Sequence, residues 1–452
     1  MSDRAGVEVL TAADSEEAQA RSAGALLAAG CAEGDRVAFC LPSSAALLCA
    51  VLGALRVGIV PVLLNASLTG PERDLLVDDA DPNLVILDSD ALDRLDAGQP
   101  AALAPFPLSR PMHYTSGTTG RSKGVWTGLW DATTASAAFA DEADLWEFGA
   151  DDVHLVCSPM YHSVSVRFAG GTLLRGGTCV ILDHFDADRA AAALDGAYGP
   201  LPTTAFLAPS ALARLLAQPD NGPARFASLR LLAHAGSPCP PALKEAALEV
   251  VGPSVLWEFY GSTEGQFTVC PPAAWRERPG TVGRARPGRT LSVDDGGLIW
   301  CRPPDFARFA YWRDEAKTAD AWRDGAFTVG DLGRLDDAGY LFLDGRRDDL
   351  IITGGVNVYP AEVEAALAGV VGVDEVAVFG VADDRWGQRV SAAVVTVPGA
   401  DPDHVVESCT RHATDHLAGY KRPKEYVVVD ALPRTATGKV QRLALPGASG
   451  LD

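Results

Sequence analysis

No apolar run in this 452-residue chain is long enough to cross a bilayer: the longest, Ala45–Leu55, stops at Arg56, well short of the roughly 20 residues a membrane helix needs. The nine cysteines stand far apart, are odd in number and include no C-x-x-C pair, so neither a zinc ribbon nor a disulfide framework is expected. Basic charge is scarce. Lys and Arg number 38 against 59 Asp and Glu, a formal charge of −21, which phosphate backbones and anionic membranes repel. Nucleic acid and membrane insertion are therefore not expected, and an anionic substrate needs a locally positive site. Residues 1–20 lack the basic-then-apolar order of a secretory signal, so a cytoplasmic location is expected. Internal repeats and low-complexity tracts are absent.

What is present is a large core. Apolar residues make up 48% of the chain, enough to bury a sizeable core, and its length suggests two or three folded units. Short, wholly apolar strands (Arg36–Leu41, Ile59–Leu64, Leu84–Leu87, Cys179–Leu182, Leu229–Ala233) alternate with helix-length segments such as Ala18–Gly30 and Ser44–Arg56. That pattern predicts an α/β fold with parallel-rich sheets covered by helices. Gly280–Leu343 changes to glycines, prolines and short strands, a small barrel-like piece. The charged turn Gly345–Asp349 marks a boundary, giving domains at 1–347 and 348–452, the second a small α+β unit with a helix at Pro402–Leu417.

The segment Tyr114–Val125 reads YTSGTTGRSKGV. Such small residues bring backbone N–H groups and hydroxyls close to phosphate oxygens, and Lys123 adds a point charge. It is not the G-x-x-x-x-G-K-[ST] loop, because Gly124 follows the lysine. A flexible surface turn is the alternative at this point.

Five motifs in order resemble those of the adenylate-forming superfamily, in its acyl-CoA synthetase and aryl-CoA ligase branch. They are the loop just described, YGSTE at Tyr260–Glu264, GDL at Gly330–Leu332, GRRDDLIITGGVNVYPAEVE at Gly345–Glu364, and PRTATGKVQR at Pro433–Arg442. The resemblance implies ATP, Mg²⁺ and coenzyme A as cofactor and co-substrates, and a carboxylic acid as the substrate. It implies that Thr115, Ser116, Gly117, Thr118, Thr119, Gly120 and Lys123 cradle phosphates, that Tyr260 and Gly261 meet adenine, that Thr263 holds the α-phosphate, and that Glu264 binds the metal as a hard oxygen ligand. Gly236, in HAGSP, would flank adenine; Asp331 would accept from the ribose hydroxyls with help from Arg346. Lys439 is the implied catalytic lysine of acid adenylation, offsetting the repulsion between carboxylate and α-phosphate. His162, in PMYH, resembles the gate beside the acyl carboxylate, and Asp348 the hinge about which the C-terminal domain turns.

Several residues bear on acid and acceptor. Ser163, Val164 and Ser165 stand where amino-acid-activating relatives place an aspartate, which disfavours an amino acid. Gly354 and Gly355 resemble the glycines lining a pantetheine tunnel, and Trp386 resembles a tryptophan packed on CoA adenine, with a core tryptophan as the alternative. Lys421, Arg422 and Lys424 form a local cluster suited to CoA phosphates, or a solvated basic turn. An amine or a carrier-protein thiol is the alternative acceptor. Tyr161, Val164, Val166, Phe168, Phe206 and Phe267 are expected to wall a pocket for a hydrophobic acid, while Arg167 pairs with a protein carboxylate or with a polar substituent of the substrate. Compared with that superfamily, fewer residues than usual precede Gly34, and an early strand and helix are expected to be missing; that bears on packing or on a homodimer, which is left open.

Overall fold

The helix Ala45–Arg56 is apolar on every side and is buried on every side: each residue from Leu47 to Arg56 is buried. Ser44 caps it, its hydroxyl accepting from the Leu47 N–H at 3.1 Å. Gly53 lets the helix Ala12–Ala28 pass close by, since a Cβ there would lie 2.3 Å from the Gln19 carbonyl oxygen. These two helices and Ser163–Leu174 share one core with Val37, Phe39 and Leu63 of one sheet and Val156, Cys179 and Ile181 of another. Truncating a residue such as Leu48 to alanine would cost about 2–5 kcal/mol.

The computed structural model describes residues 6–115, 122–219, 221–353, 356–383, 386–434 and 440–449. They form two compact units. The first comprises Met1–Leu291 with Cys301–Phe327 and Gly339–Leu341; the second comprises Ser292–Trp300, Thr328–Ala338 and Phe342–Asp452. The glycine-rich stretch Gly280–Leu343 is thus divided between them, in short strands such as Arg284–Ala285 and Asp331–Leu335.

In the first unit one six-stranded sheet runs Val7–Thr11, Thr178–Leu182, Val153–Val156, Thr204–Leu207, Leu231–His234, Leu256–Glu258. All its pairings are parallel except the first. The other runs Ala310–Tyr311, Lys123–Trp126, Met112–Thr115, Val60–Leu63, Arg36–Phe39, Leu84–Ile86, parallel over its last four strands. The parallel-rich sheets are as expected, and the N-terminal segment supplies an edge strand that the sequence reading did not place, before a helix that begins earlier than Ala18. Val7–Thr11 pairs with Thr178–Leu182, and the helix after it begins at Ala12, capped by Thr11. Only Val7 and Leu10 of that edge strand are buried, a spacing of three that a search for period two passes over.

In the second unit Val373–Asp383 and Gly387–Thr396 form a long antiparallel pair, flanked by Ile351–Thr353 with Val356–Val358 and by the parallel strand Glu425–Val428. The helices Pro360–Leu367 and Pro402–His416 share a core with this sheet through Val363, Leu367, Val405 and Cys409.

Candidate active site

The strands Met112–Thr115 and Lys123–Trp126 pair antiparallel with Thr115 opposite Lys123, so these two residues stand at the two roots of the glycine-rich loop. Ser116, Gly117, Thr118, Thr119 and Gly120 lie outside the described residues. The Lys123 ammonium sits 4.9 Å from the centre of the Tyr311 ring, and the Tyr311 hydroxyl donates to Glu264 Oε1 at 2.9 Å. The lysine of one motif and the buried carboxylate of another are therefore joined through one tyrosine. Burial, then the neighbouring Lys317, pushes the Lys123 ammonium down to about 8. Tyr311 was invisible to sequence reasoning; it stands between the aromatics Phe309 and Trp312, in a strand of only two residues.

Glu264 belongs to a tight turn. Gly261 bridges Gln266, and the Ser262 and Gly265 N–H groups each donate to the other's carbonyl, at 2.9 and 3.2 Å. A Cβ on Gly261 would come 2.7 Å from the Gly265 carbonyl oxygen, so only glycine closes this turn. Tyr260 precedes it, its ring 4.9 Å from Phe267. Gly236 follows the strand Leu231–His234 at φ +96°, a conformation side chains rarely adopt, with open space beside it. Behind both loops lies a fully buried lysine. Lys244 Nζ donates to His234 Nε2 and lies 3.3 Å from Glu258 Oε2, tying together the ends of the two strands that lead to Gly236 and Tyr260. Burial, reinforced by Lys244, holds the His234 imidazole neutral. The sequence carried no signal for this cluster.

His162 stands at the N-terminal end of the helix Ser163–Leu174, its ring 4.4 Å from that of Tyr161. His113 donates from Nδ1 to the Tyr161 carbonyl at 2.8 Å, and burial pushes its imidazole down to about 4. Thr263 and Ser163 line a cavity with apolar walls from Leu52, Leu55 and Val166. Of the residues expected to wall it, only Val166 does. Phe168 and Phe206 belong to an aromatic core with Trp146 and Phe259, and Phe267 packs on Phe327, because a sheet's inner face claims large rings before a cavity can. Arg167 pairs with a protein carboxylate: its Nη2 lies 2.6 Å from Glu142 Oε1 and 2.8 Å from Gln266 Oε1.

In the second unit Asp331 and Arg346 meet, with Arg346 Nε 3.1 Å from Asp331 Oδ1. The turn Arg347–Asp349 is a single 3₁₀ turn, and the side chain of Asp348 lies outside the described residues. So do Gly354, Gly355 and Lys439. The flanks of Lys439 are held: Arg434 bridges Val440, the Gln441 N–H donates to the Pro433 carbonyl at 2.8 Å, and Arg442 pairs with Asp349 and Glu364. Trp386 is 47% exposed, so it is no core tryptophan. Lys421 pairs with Glu362, Arg422 Nε donates to the Leu417 carbonyl and Lys424 Nζ to that of Gly419, both at 2.8 Å. All nine cysteines are free thiols.

Thr115 and Lys123 at the roots of the loop, with Lys123 joined to the buried Glu264 through Tyr311, are the arrangement expected of an adenylate-forming ligase. The chain belongs to the AMP-binding enzyme family: residues 4–105 and 111–300 match the model of the AMP-binding enzyme and residues 362–439 that of its C-terminal domain. It is 33% identical to the indoleacetate–CoA ligase of Aromatoleum aromaticum, across 93% of this chain and 90% of that protein. It is 32% identical to the fatty acid–[acyl-carrier-protein] ligase ScoC of Streptomyces coeruleorubidus, across 94% and 89%. Among solved structures, ATP-bound MatB from Rhodopseudomonas palustris matches with a TM-score of 0.84 at 31% identity, over 96% of this chain and 93% of that one. The chain is an AMP-forming acid–thiol ligase.

Proposed function

We propose that the chain activates a hydrophobic carboxylic acid with ATP, forming an acyl-adenylate and pyrophosphate, and then transfers the acyl group to the thiol of coenzyme A with release of AMP. The observation that carries this reading is the convergence of Lys123, Tyr311 and Glu264 at the roots of the phosphate loop. Glu264 suits Mg²⁺, which takes one or two carboxylates and completes its shell with phosphate and water oxygens; bound there it neutralises phosphate charge. Thr115, the loop after it and Lys123 hold the phosphates, Tyr260 and Gly236 flank the adenine, and Asp331, held by Arg346, accepts from the ribose hydroxyls.

In the first step a carboxylate oxygen bonds to the α-phosphorus and the bond to pyrophosphate breaks. Lys439 reaches both reacting anions, and Thr263 donates to the α-phosphate. His162, beside the cavity, orients the carboxylate. In the second step the thiol sulfur bonds to the acyl carbon and AMP leaves. Residues 348–452 act as the mobile domain, turning about Asp348 to withdraw Lys439 and present Gly354, Gly355, Trp386, Arg422 and Lys424 to CoA. A cytoplasmic location accords with the supply of ATP and CoA.

A second reading, transfer to a carrier-protein thiol or an amine, is favoured by the internal partners that Lys421, Arg422 and Lys424 already hold. An acid panel with ATP, scored for AMP release with and without CoA, separates the two. CoA-dependent turnover supports the first reading; CoA-independent adenylation that only an amine or carrier protein drives forward supports the second.

A further inference from the structure

The cavity beside Thr263 has a cationic wall that the adenylation chemistry leaves unused. Arg110, Arg167, Arg286 and Arg289 all line it. Glu142 is shared by Arg167 and Arg286, at 2.6 and 3.0 Å, and Gln266 Oε1 accepts from the same two, at 2.8 and 2.9 Å. Asp141 pairs with Arg286 and Arg289. Burial alone would raise Glu142, but Arg167 and Arg286 outweigh it and hold its carboxyl well below the usual carboxylate range. Four guanidiniums thus face two carboxylates, Asp141 and Glu142.

Arg110 is the one left over. Among the described residues its guanidinium has neither a hydrogen-bond nor an ion-pair partner; it lies 5.6 Å from the Trp130 ring, packed in protein yet open to the cavity. Burial first, then repulsion from Arg167, pushes it down to about 10, so it is charged at neutral pH. A buried charge without a partner is costly unless a ligand supplies one.

Its place along the strand matters. Thr115 lies at the phosphate-loop end of Met112–Thr115, facing Lys123, which reaches Glu264 through Tyr311. Arg110 precedes the other end of that strand, and five extended residues span on the order of 16 Å. Thr263, apolar walls including Leu52, Leu55 and Phe139, and Arg110 all line this one cavity.

We propose that the acid substrate carries a second anionic group, a remote carboxylate, which Arg110 binds where it lines the cavity. The substrate class is an amphiphilic diacid: one carboxylate to be adenylated, an apolar span, and one carboxylate to neutralise Arg110. This rests on the acid-ligase reading above and narrows its substrate.

The test compares adipate, suberate and sebacate with their mono-methyl esters, by ATP–pyrophosphate exchange and by calorimetric binding to the full-length enzyme. The best diacid is expected to exceed its half-ester in kcat/KM by at least about tenfold, the scale of one charge-assisted contact. Arg110→Met should bring that ratio to within about twofold, and Arg110→Lys should keep part of it. A wild-type ratio at or below one, or an unchanged ratio in Arg110→Met, overturns the proposal. Diacids that bind, and lose affinity in Arg110→Met, while no acid supports exchange, would leave the anion site standing and overturn the reaction. Half-esters that exchange while diacids do not bind would do the reverse, and no binding with no exchange overturns both.

Discussion

Arg442 and Glu364 form a forked ion pair, with Arg442 Nη2 2.9 Å from Oε1 and 2.8 Å from Oε2 of the glutamate. The Arg442 Nη1 reaches Asp349 at 3.1 Å, so one guanidinium ties the segment after Lys439 to the helix Pro360–Leu367 and to the turn Arg347–Asp349. In the proposed mechanism Arg442 is a positioning residue for Lys439. Arg442→Met is expected to slow acid-dependent pyrophosphate exchange by roughly tenfold or more, as sub-ångström misplacement of a reacting group does. Arg442→Lys should recover only part of the loss, because a single ammonium cannot span Glu364 and Asp349 as the two guanidinium nitrogens do. Full recovery by lysine would mean that charge, not geometry, is what Arg442 supplies.

The Lys123 ammonium, pushed down to about 8 by burial and then by Lys317, sets a pH dependence. Its charged form is the one that attracts a triphosphate. Below pH 8 the free enzyme already holds the proton; above it, ATP binding must take one up. ATP affinity is therefore expected to weaken as pH rises through 8, towards a limit of about tenfold per pH unit. Calorimetry in buffers of different ionisation enthalpy should register proton uptake in that range. Lys123→Gln should bind ATP more weakly and show a flat profile, whereas a variant that kept the slope would place the titration on another group.

What was legible in the sequence was local. YTSGTTGRSKGV, YGSTE and PRTATGKVQR carry their chemistry within a few residues, so the site could be sketched without a fold. The anion-facing wall was not legible, because Arg286 meets Asp141 and Glu142 from more than a hundred residues away and each looks like an ordinary surface charge in sequence. Phe168 and Phe206 misled for a similar reason: apolar residues near a motif serve core and cavity alike, and only packing separates them. Tyr311 and Lys244 were missed because a tyrosine and a lysine acquire meaning only from what burial places beside them.

Lys439→Ala should abolish adenylate formation yet leave thioester formation from a supplied acyl-adenylate largely intact. One charge at the α-phosphate is needed only while two anions are being joined. Equal loss in both half-reactions would show that the lysine serves both steps or supports the fold.

Asp348→Pro addresses the turn Arg347–Asp349. Proline fixes φ near −65°, so only one of two domain orientations should remain accessible. One half-reaction, thioester formation by expectation, should fall by at least about tenfold while the other is spared. Matching losses at unchanged thermal stability would remove Asp348 as the hinge.

The most direct measurement follows an oxygen atom. With the substrate carboxylate labelled with heavy oxygen, attack on the α-phosphorus and later cleavage of the acyl carbon–oxygen bond by the thiol leave one labelled oxygen on AMP. Mass spectrometry of the released AMP, in a reaction with ATP, acid and CoA, is predicted to find that single heavy oxygen. AMP without label, formed alongside the acyl-CoA, would contradict an acyl-adenylate route.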